Sequence, residues 1–238
     1  MSEKLPKVVP GVEALPSTTH GSLDERAYER LCDAIADGTL APGQHLRASR
    51  LAEELSISRT PVVNALKRLA QAGLVDWVAN SGAYVRRFSM LETAQIFELR
   101  EVLEGLAARH AARNLSERAI DELDALFVDF RGDAGEEAGP RIVRAYLAKD
   151  RLFHRSIIEA AGSAPLSRTT DQVHVTTVAF SAGLIRTVSV GIAEHDQIVA
   201  AFRARDPEAA EVAMRKHLRR SVDWLYEEAE VERERSRA

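Results

Sequence analysis

The stretch Leu51-Ala-Glu-Glu-Leu-Ser-Ile-Ser-Arg-Thr-Pro-Val-Val-Asn-Ala-Leu-Lys-Arg-Leu69 decides the fold of the first part of this 238-residue chain. Its first residues belong to a short amphipathic helix expected over 47–55, and the Ser-Ile pair that follows forms a tight turn. Ser58 can cap a second helix, which tolerates Pro61 in its first turn and runs to about Ala72. Two helices joined by so short a turn are typical of a helix-turn-helix.

The flanking residues complete this unit. An apolar stripe that begins at Leu23 predicts a preceding helix, which ends at Gly38. Residues 74–78 and 83–88 have the composition of two short strands, and Asn80-Ser81-Gly82 supplies the turn between them. The unit is therefore predicted to be a winged helix-turn-helix, whose second helix enters the DNA major groove with its N-terminus first.

Charge favours contact with DNA in this part of the chain, although the formal net charge of the whole protein is -4. Residues 46–88 carry seven basic and three acidic groups, whereas residues 89–238 carry 21 basic and 26 acidic groups. A basic unit on an acidic body favours local contact with phosphates. Periodicity alone also fits an ordinary helical hairpin with a solvated basic face.

The start of the second helix carries the side chains best suited to reading DNA. Arg59 can form two hydrogen bonds to guanine, and Asn64, one turn later, can read adenine. Lys67 and Arg68 are expected to contact the DNA backbone. The full set of predicted DNA contacts is Arg47, Arg50, Ser58, Arg59, Thr60, Asn64, Lys67 and Gly82, the last at the tip of the wing.

From Leu91 onward the apolar pattern is helical throughout. We expect a mainly α protein, in which an all-α antiparallel helical bundle follows the winged helix-turn-helix. Three regions are predicted: a disordered N-terminal arm over 1–21, a DNA-binding domain over 22–88, and an effector-binding and dimerisation domain over 89–238. Helices are predicted near 91–113, 116–131, 139–161, 165–185, 192–204 and 207–230, with a break around Gly191.

The composition predicts a cytoplasmic protein. No apolar run is long enough to span a membrane, and the N-terminus lacks the apolar core of a signal peptide. The lone Cys32 cannot form an internal disulfide, which is consistent with a reducing compartment. We therefore expect no membrane partner.

Four residues of the types that bind metals lie on otherwise apolar helix faces. Asp150 and His154 stand four apart in the helix predicted over 139–161, and polar groups inside an apolar stripe need partners. His217 lies on a similar stripe near the C-terminus, and His195 lies in the first turn of the preceding helix. Facing helices can bring such residues together in a bundle core. Three imidazoles and one carboxylate suit Zn²⁺, and also Ni²⁺, Mn²⁺ or Fe²⁺. A lone inward histidine is more often an ordinary hydrogen-bonded core residue, whereas the Asp150 and His154 pair is equally consistent with that interpretation and with a metal site.

Three short runs of the N-terminal region form a recognisable pattern when they are taken in order. They are Gly38-Thr-Leu-Ala-Pro-Gly43, the stretch from Leu51 to Val62, and Gly73-Leu-Val75. Their most specific part is Ser58-Arg-Thr-Pro-Val62. Together these runs resemble the N-terminal domain of the GntR family of bacterial regulators. The family often has Arg-Glu after Pro-Val, where this chain has Val63-Asn64, so its operator sequence or its affinity for the operator is expected to differ.

The metal-type residues carry a second resemblance through their order and spacing. Asp150-x-x-x-His154, Glu194-His195 and His217 resemble the ligand pattern of the FCD effector domain, which marks the FadR branch of the GntR family. This resemblance implies that a small organic acid binds by its carboxylate at open positions of the metal. At Gly162-Ser163 the family often has Gly-Asn, a departure that affects the surroundings of the ligands and not the ligands themselves.

Three further residues are candidates for effector binding. Arg100 lies on an apolar stripe and is expected to point inward, where a buried Arg needs an anion. That anion is either Glu104 or another internal acid, or else the carboxylate of an effector. The other two candidates are His174, in a threonine-rich stretch, and Arg186.

These features predict a homodimeric transcription regulator, a repressor and not an enzyme, whose affinity for double-stranded operator DNA is controlled by a small carboxylate effector at the metal. The effector would prefer one arrangement of the helical domain and so change the spacing of two DNA-reading heads. The alternatives are a direct metal sensor and a hydrolase that uses metal-activated water. The hydrolase has no visible nucleophile motif and leaves the DNA-reading unit unexplained. An acyl-CoA sensor fits poorly, because the long-chain binders of this branch tend to lack the full metal set.

Overall fold

The computed structural model of the protein describes residues 22–36, 38–79, 81–131, 139–178, 186–235 and 237. The N-terminal arm predicted over 1–21 lies outside these residues. The chain divides into two compact units, with their main boundary between Phe88 and Ser89. Among the described helices, none combines the length and the apolar character needed to cross a membrane.

The N-terminal unit is a winged helix-turn-helix, in agreement with the sequence prediction. Its described helices are α1 (Leu23–Ala36), α2 (Ala48–Leu55) and α3 (Arg59–Gln71), and its strands are β1 (His45–Leu46), β2 (Val75–Val78) and β3 (Gly82–Val85). The strands form an antiparallel sheet in the order β1-β3-β2, so that β2 and β3 make the wing. Asn80, in the predicted turn of the wing, lies outside the described residues.

Strand β1 was not predicted, because two residues are too few to show an alternating pattern. The strand pairs with β3, where His45 lies opposite Tyr84. The two rings stack with their centroids 4.6 Å apart. A cross-strand ring pair of this kind stabilises a short edge strand that hydrogen bonds alone would hold weakly.

A tight turn between α2 and α3 fixes the position of the second helix. Ser56 ends α2 in the left-handed conformation, with φ 56°, and its N–H donates to the Glu53 carbonyl. Ser58 takes the N-cap position of α3, as the sequence predicts, but its side chain makes no capping hydrogen bond. The two helices are held instead by apolar packing, since Leu55 and Val62 are both fully buried.

Arg68, predicted to contact the DNA backbone, also takes part in the packing of the N-terminal unit. Its guanidinium donates to both carboxylate oxygens of Glu25 on α1, at 2.9 and 3.1 Å. It also lies over the ring of Tyr28, 4.2 Å from the centroid. The two contacts join α3 to α1, and the side chain is still 39% exposed, so its contact with DNA stays a prediction.

The C-terminal unit is entirely helical where it is described, which confirms the predicted fold class. Helix α4 begins at a capping box, in which the Ser89 hydroxyl accepts from the Glu92 N–H and the Glu92 carboxylate accepts from the Ser89 N–H. It packs along α9 and α6, while α8 packs against α9 and α5. The helices are α4 (Met90–Asn114), α5 (Glu117–Ala125), α6 (Pro140–Ala160), α7 (Ala164–Val178), α8 (Val188–Arg203) and α9 (Pro207–Arg235).

Helix α5 ends earlier than the predicted limit of residue 131. The chain continues from Ala125 through a 3-10 turn at Val128–Phe130. Residues three apart lie on the same side of a 3-10 turn, so Phe127 and Phe130 can both enter the core. Phe127 is 1% exposed and Phe130 is 9% exposed. At α7, the predicted residues 179–185 lie outside the described part of the structure.

The predicted helix break at Gly191 is wrong, and the glycine has a packing role. Helix α8 begins at Val188, where the Thr187 hydroxyl caps the Val190 N–H, and it continues through Gly191 without interruption. A Cβ atom at Gly191 would lie 2.0 Å from the Tyr146 hydroxyl oxygen on α6. The missing side chain therefore lets α6 and α8 approach closely at this position.

We predict that Gly191→Ala destabilises the protein, although alanine is the better helix former by about 1 kcal/mol. The new methyl group must displace Tyr146, and overpacking of this kind costs about 1–3 kcal/mol. Denaturant unfolding measures the change. Gly139→Ala is the control, because a Cβ atom there meets nothing within 4 Å. Higher stability of Gly191→Ala would contradict the packing role.

Candidate metal centre

The four predicted metal-type residues lie together in the core of the C-terminal unit. Asp150 and His154 come from α6, His195 from α8 and His217 from α9. One nitrogen or oxygen atom from each residue lies within 4.8 Å of the others. The three histidines are buried, and the Asp150 side chain is 22% exposed. The site is thus built by three helices, and its carboxylate side is the one nearest to solvent.

The distances between these atoms suit a single ion. His195 Nε2 lies 3.2 Å from Asp150 Oδ1, and His154 Nε2 lies 3.9 Å from the same oxygen. The Nε2 atoms of His154 and His217 are 3.2 Å apart. A tetrahedral Zn²⁺ with ligand atoms about 2.0–2.1 Å away separates those atoms from one another by roughly 3.3 Å. These three separations are close to those within a coordination shell, and the four donor atoms together lie within 4.8 Å of one another.

The tautomers assigned by hydrogen bonding leave two lone pairs facing each other. His154 Nδ1 lies 2.5 Å from Glu104 Oε2, and His217 Nδ1 lies 3.0 Å from Glu194 Oε2. Each carboxylate accepts a hydrogen bond from the ring beside it, so each Nδ1 carries the hydrogen. In the neutral rings both Nε2 atoms are then unprotonated, at a separation of 3.2 Å. Two lone pairs at this distance repel each other. The Arg186 guanidinium, 3.3 Å from His217 Nε2, offsets part of this repulsion, and a cation between the two rings would remove it.

His195 is held by ring packing and not by a second hydrogen bond. Neither of its ring nitrogens has a hydrogen-bond partner among the described residues, although Nε2 lies close to Asp150. Its ring stacks on Phe127 with the centroids 4.4 Å apart, and Phe153 lies 4.6 Å away. An unpartnered buried nitrogen costs free energy, which a bound ion would recover. The residues present therefore fit a metal.

Burial and neighbouring charges together shift the pKa values of three residues of the site. Burial lowers the pKa of His217 well below its usual range, and the charge of Arg186 lowers it further. Burial also lowers the pKa of His195, although Asp150 opposes this. Burial alone would raise the pKa of Asp150, but the adjacent histidines outweigh it and the pKa lies below its usual range. Neutral imidazoles beside an ionised carboxylate are the forms that bind metals.

Arg100 pairs with an internal acid, which was one of the two predicted alternatives. Its Nε donates to Glu104 Oε1 at 2.6 Å, and both side chains are almost fully buried. The other oxygen of Glu104 faces His154. Arg100 therefore acts on the site through Glu104 and His154, and its contact with an effector stays a prediction. The contact between Glu104 and His154 was not predicted from the sequence, although the position of Glu104 four residues after Arg100 was a usable signal.

Arg186, another candidate for effector binding, lies against His217. One terminal nitrogen donates to the His217 carbonyl at 3.0 Å and to the Ser221 hydroxyl at 3.1 Å. Its Nε lies 3.3 Å from Glu194, which Arg220 also contacts at 2.8 Å. The guanidinium thus stands beside the candidate ligands, with 15% of its side chain exposed. The side chain of His174 lies outside the described part of the structure.

Most of the predicted DNA contacts lie on the surface of the N-terminal unit. Arg50 is half-buried and pairs with Glu54 at 3.0 Å, so it is less free than predicted. A groove of about 460 Å³ lies between α3 and the wing, and Arg59 and Gly82 both line it. Trp77, also on this groove, is 48% exposed and was not singled out from the sequence. The exposed predicted contacts are Arg47, Ser58, Arg59, Thr60, Asn64 and Lys67.

We predict that Glu104→Gln lowers the free energy of unfolding by about 3 kcal/mol, because it leaves the buried charge of Arg100 uncompensated. Urea unfolding of the metal-free protein measures the loss. Glu122→Gln is the control, since Glu122 pairs with Arg118 at the same four-residue spacing on an exposed surface. Equal stability of the two variants would show that the buried pair has no structural role.

Comparisons with known proteins agree with this fold. The model of bacterial regulatory proteins of the gntR family matches residues 23–85, and that of the FCD domain matches residues 95–220. A probable D-xylose utilization operon transcriptional repressor of Paenarthrobacter nicotinovorans is 33% identical over 186 residues, covering 77% of this chain and 80% of that protein. An uncharacterized HTH-type transcriptional regulator of Streptomyces ambofaciens is 31% identical over 211 residues, which is 86% of each protein.

A solved structure supports the fold. E. coli McbR/YncC matches with a TM-score of 0.75 and 24% identity, covering 88% of this chain and 99% of that one. At this identity the likeness bears on architecture alone. The two family models and the relatives establish the class of protein, a transcriptional regulator and not an enzyme. The chain belongs to the GntR family of bacterial DNA-binding regulators and carries an FCD domain.

Proposed function

We propose that this regulator is a repressor whose affinity for operator DNA is controlled by a small organic acid bound at a divalent metal. Its ligands are Asp150, His154, His195 and His217. The observation that carries the proposal is the convergence of four donor atoms in the core, where the Nε2 atoms of His154 and His217 lie 3.2 Å apart. The relative from Paenarthrobacter nicotinovorans, a probable repressor by name, supports the sign of regulation.

The donor set favours Zn²⁺, and Ni²⁺, Mn²⁺ and Fe²⁺ accept the same side chains. When bound, the metal supplies positive charge and open coordination positions for an anionic ligand. Glu104 and Glu194 hold two of the imidazoles in the ligating tautomer. Phe127 and Phe153 hold the third by packing.

Arg186 is the residue that we assign to the effector carboxylate. It is the cation beside His217, and it keeps a partly exposed guanidinium next to the ligands. Its planar fork matches a carboxylate, which can accept two parallel hydrogen bonds from it. Arg186 would then exchange part of its contact with Glu194 for the effector, which links effector binding to the orientation of His217.

We predict that chelator-treated protein gains several degrees in melting temperature with Zn²⁺, and gains again with one of a set of small mono-, di- and tricarboxylates. His217→Ala should abolish both shifts, because it removes one of the four ligands. His110→Ala is the matched control, a half-buried histidine of α4 outside the cluster.

An unchanged Zn²⁺ response in His217→Ala would overturn the proposed ligand set. A second outcome would favour a direct metal sensor. In that case Zn²⁺ binds, none of the acids shifts the melting temperature, and the affinity for DNA depends on Zn²⁺ alone.

For DNA, we assign recognition to α3 and the wing of the N-terminal unit. The exposed residues at the start of α3, Ser58, Arg59 and Thr60, have the chemistry to contact base edges and phosphates. Arg59 also faces the groove toward the wing. Asn64, exposed one turn further along α3, has the amide group that can bond adenine.

We predict that Arg59→Ala weakens binding to operators selected from random-sequence DNA by about 1–3 kcal/mol and relaxes their base preference. Fluorescence anisotropy at fixed salt measures the affinity. Arg118→Ala, an exposed arginine of the C-terminal unit, should leave the affinity unchanged. Equal losses in the two variants would mean that α3 does not read bases.

Dimerisation is assigned to α4, whose surface carries exposed apolar side chains. Leu99 is 55% exposed, Val102 is 51% exposed and Leu106 is 39% exposed, at helical spacings of three and four. Burial of this stripe against a second copy would remove it from water. Two copies would present two DNA-reading heads, and the effector would shift the population between their arrangements.

A further inference from the structure

Tyr146 is a buried residue of the metal-centre wall that the proposed function has not used. It lies on α6, one turn before the candidate ligand Asp150, and is 3% exposed. Its ring packs against Phe127 and Phe130, with both centroids 5.8 Å away, and lies beside His195 at 6.2 Å. These contacts fix the ring and therefore the position of its hydroxyl group.

The hydroxyl has no hydrogen-bond partner among the described residues, although it is buried. Its oxygen sits over the bare backbone of Gly191, where a Cβ atom would come within 2.0 Å of it. Gly191 precedes His195 by one helical turn, as Tyr146 precedes Asp150. The hydroxyl thus lies between α6 and α8, one turn from two candidate ligands.

The hydroxyl belongs to a ring on the wall of the candidate metal centre, since the Tyr146 and His195 ring centroids lie 6.2 Å apart. Burial raises the pKa of Tyr146, and the negative charge of Asp150 raises it further, so the group stays protonated. A neutral phenol in such a place can donate one hydrogen bond and accept another.

We infer that the Tyr146 hydroxyl binds an oxygen substituent of the effector, separate from the carboxylate at the metal, so that the site selects hydroxylated acids over alkyl acids. This inference rests on the proposed function, because it requires an acid at the metal. A buried hydroxyl without a partner favours a ligand that satisfies it and rejects the analogue that leaves it unpaired. Gly191 is then the residue that keeps the space for this hydroxyl.

The test compares acids of equal chain length on the Zn²⁺-loaded protein. The pairs are glycolate with acetate, lactate with propionate, and gluconate with hexanoate, and calorimetric titration gives each Kd. We expect the hydroxylated member of the best-binding pair to bind about ten-fold tighter or more, as expected for one satisfied buried hydroxyl. In Tyr146→Phe the ratio of the two Kd values, alkyl acid to hydroxylated acid, should fall to about three or less.

Two further readouts separate this role from a structural one. The acid-free Tyr146→Phe protein should melt at the same temperature or higher, because the change removes an unpaired buried hydroxyl. Its Zn²⁺ affinity, measured by competition with a chromophoric chelator, should be unchanged. Tyr226→Phe is the control: Tyr226 lies on α9 and hydrogen bonds with Glu98, and its loss should leave the acid preference intact.

Three outcomes would overturn the inference. Unchanged selectivity in Tyr146→Phe means that the hydroxyl does not touch the acid. A lower melting temperature or weaker Zn²⁺ binding, with selectivity unchanged, assigns Tyr146 to positioning Asp150. Binding of Zn²⁺ without binding of any acid, in the native protein and in the variant alike, overturns the acid-controlled function and this inference with it.

Discussion

Two imidazole nitrogens of His154 and His217 face each other at 3.2 Å, and the hydrogen bonds on the far side of each ring leave both without a proton. Like-charged lone pairs at this distance are unfavourable in a buried site, where no water screens them. The arrangement becomes favourable when a cation lies between them. Asp150 and His195 complete the set of donors around the same point. The proposed control of this regulator depends on that one convergence.

The convergence also ties together helices that are distant in sequence. Glu104 lies on α4, the helix that begins directly after the N-terminal unit ends, and it touches His154 on α6. Glu194 of α8 touches His217 of α9. A ligand that alters the donor geometry therefore acts on four helices at once, through hydrogen bonds that are already formed. Because α4 also carries the exposed apolar stripe assigned to dimerisation, the same helix joins the site, the proposed interface and the covalent link to the DNA-binding unit.

The sequence predicts the fold class, and it singles out the four residues that the structure brings together as candidate ligands, for identifiable reasons. The Ser58-Arg-Thr-Pro-Val62 run has a specific local signature, and the winged helix-turn-helix that it predicts is present. Asp150 and His154 interrupt an apolar stripe at a spacing of one helical turn, which is a strong signal for a shared partner. These features are local along the chain, so they can be read without knowing which helices meet.

Features that arise from contacts between elements could not be read in this way. Gly191 has the sequence signature of a helix break, but its function is to make space for Tyr146 on another helix. Arg68 has the position of a DNA contact, but Glu25 on α1 engages it. X-ray absorption at the Zn edge of the Zn²⁺-loaded protein tests the proposed metal site most directly. We expect the ion to be bound by three imidazoles and a carboxylate oxygen at about 2.0–2.2 Å, with one Zn²⁺ per chain. A shell with fewer than two imidazoles, or a sulfur ligand, would contradict it.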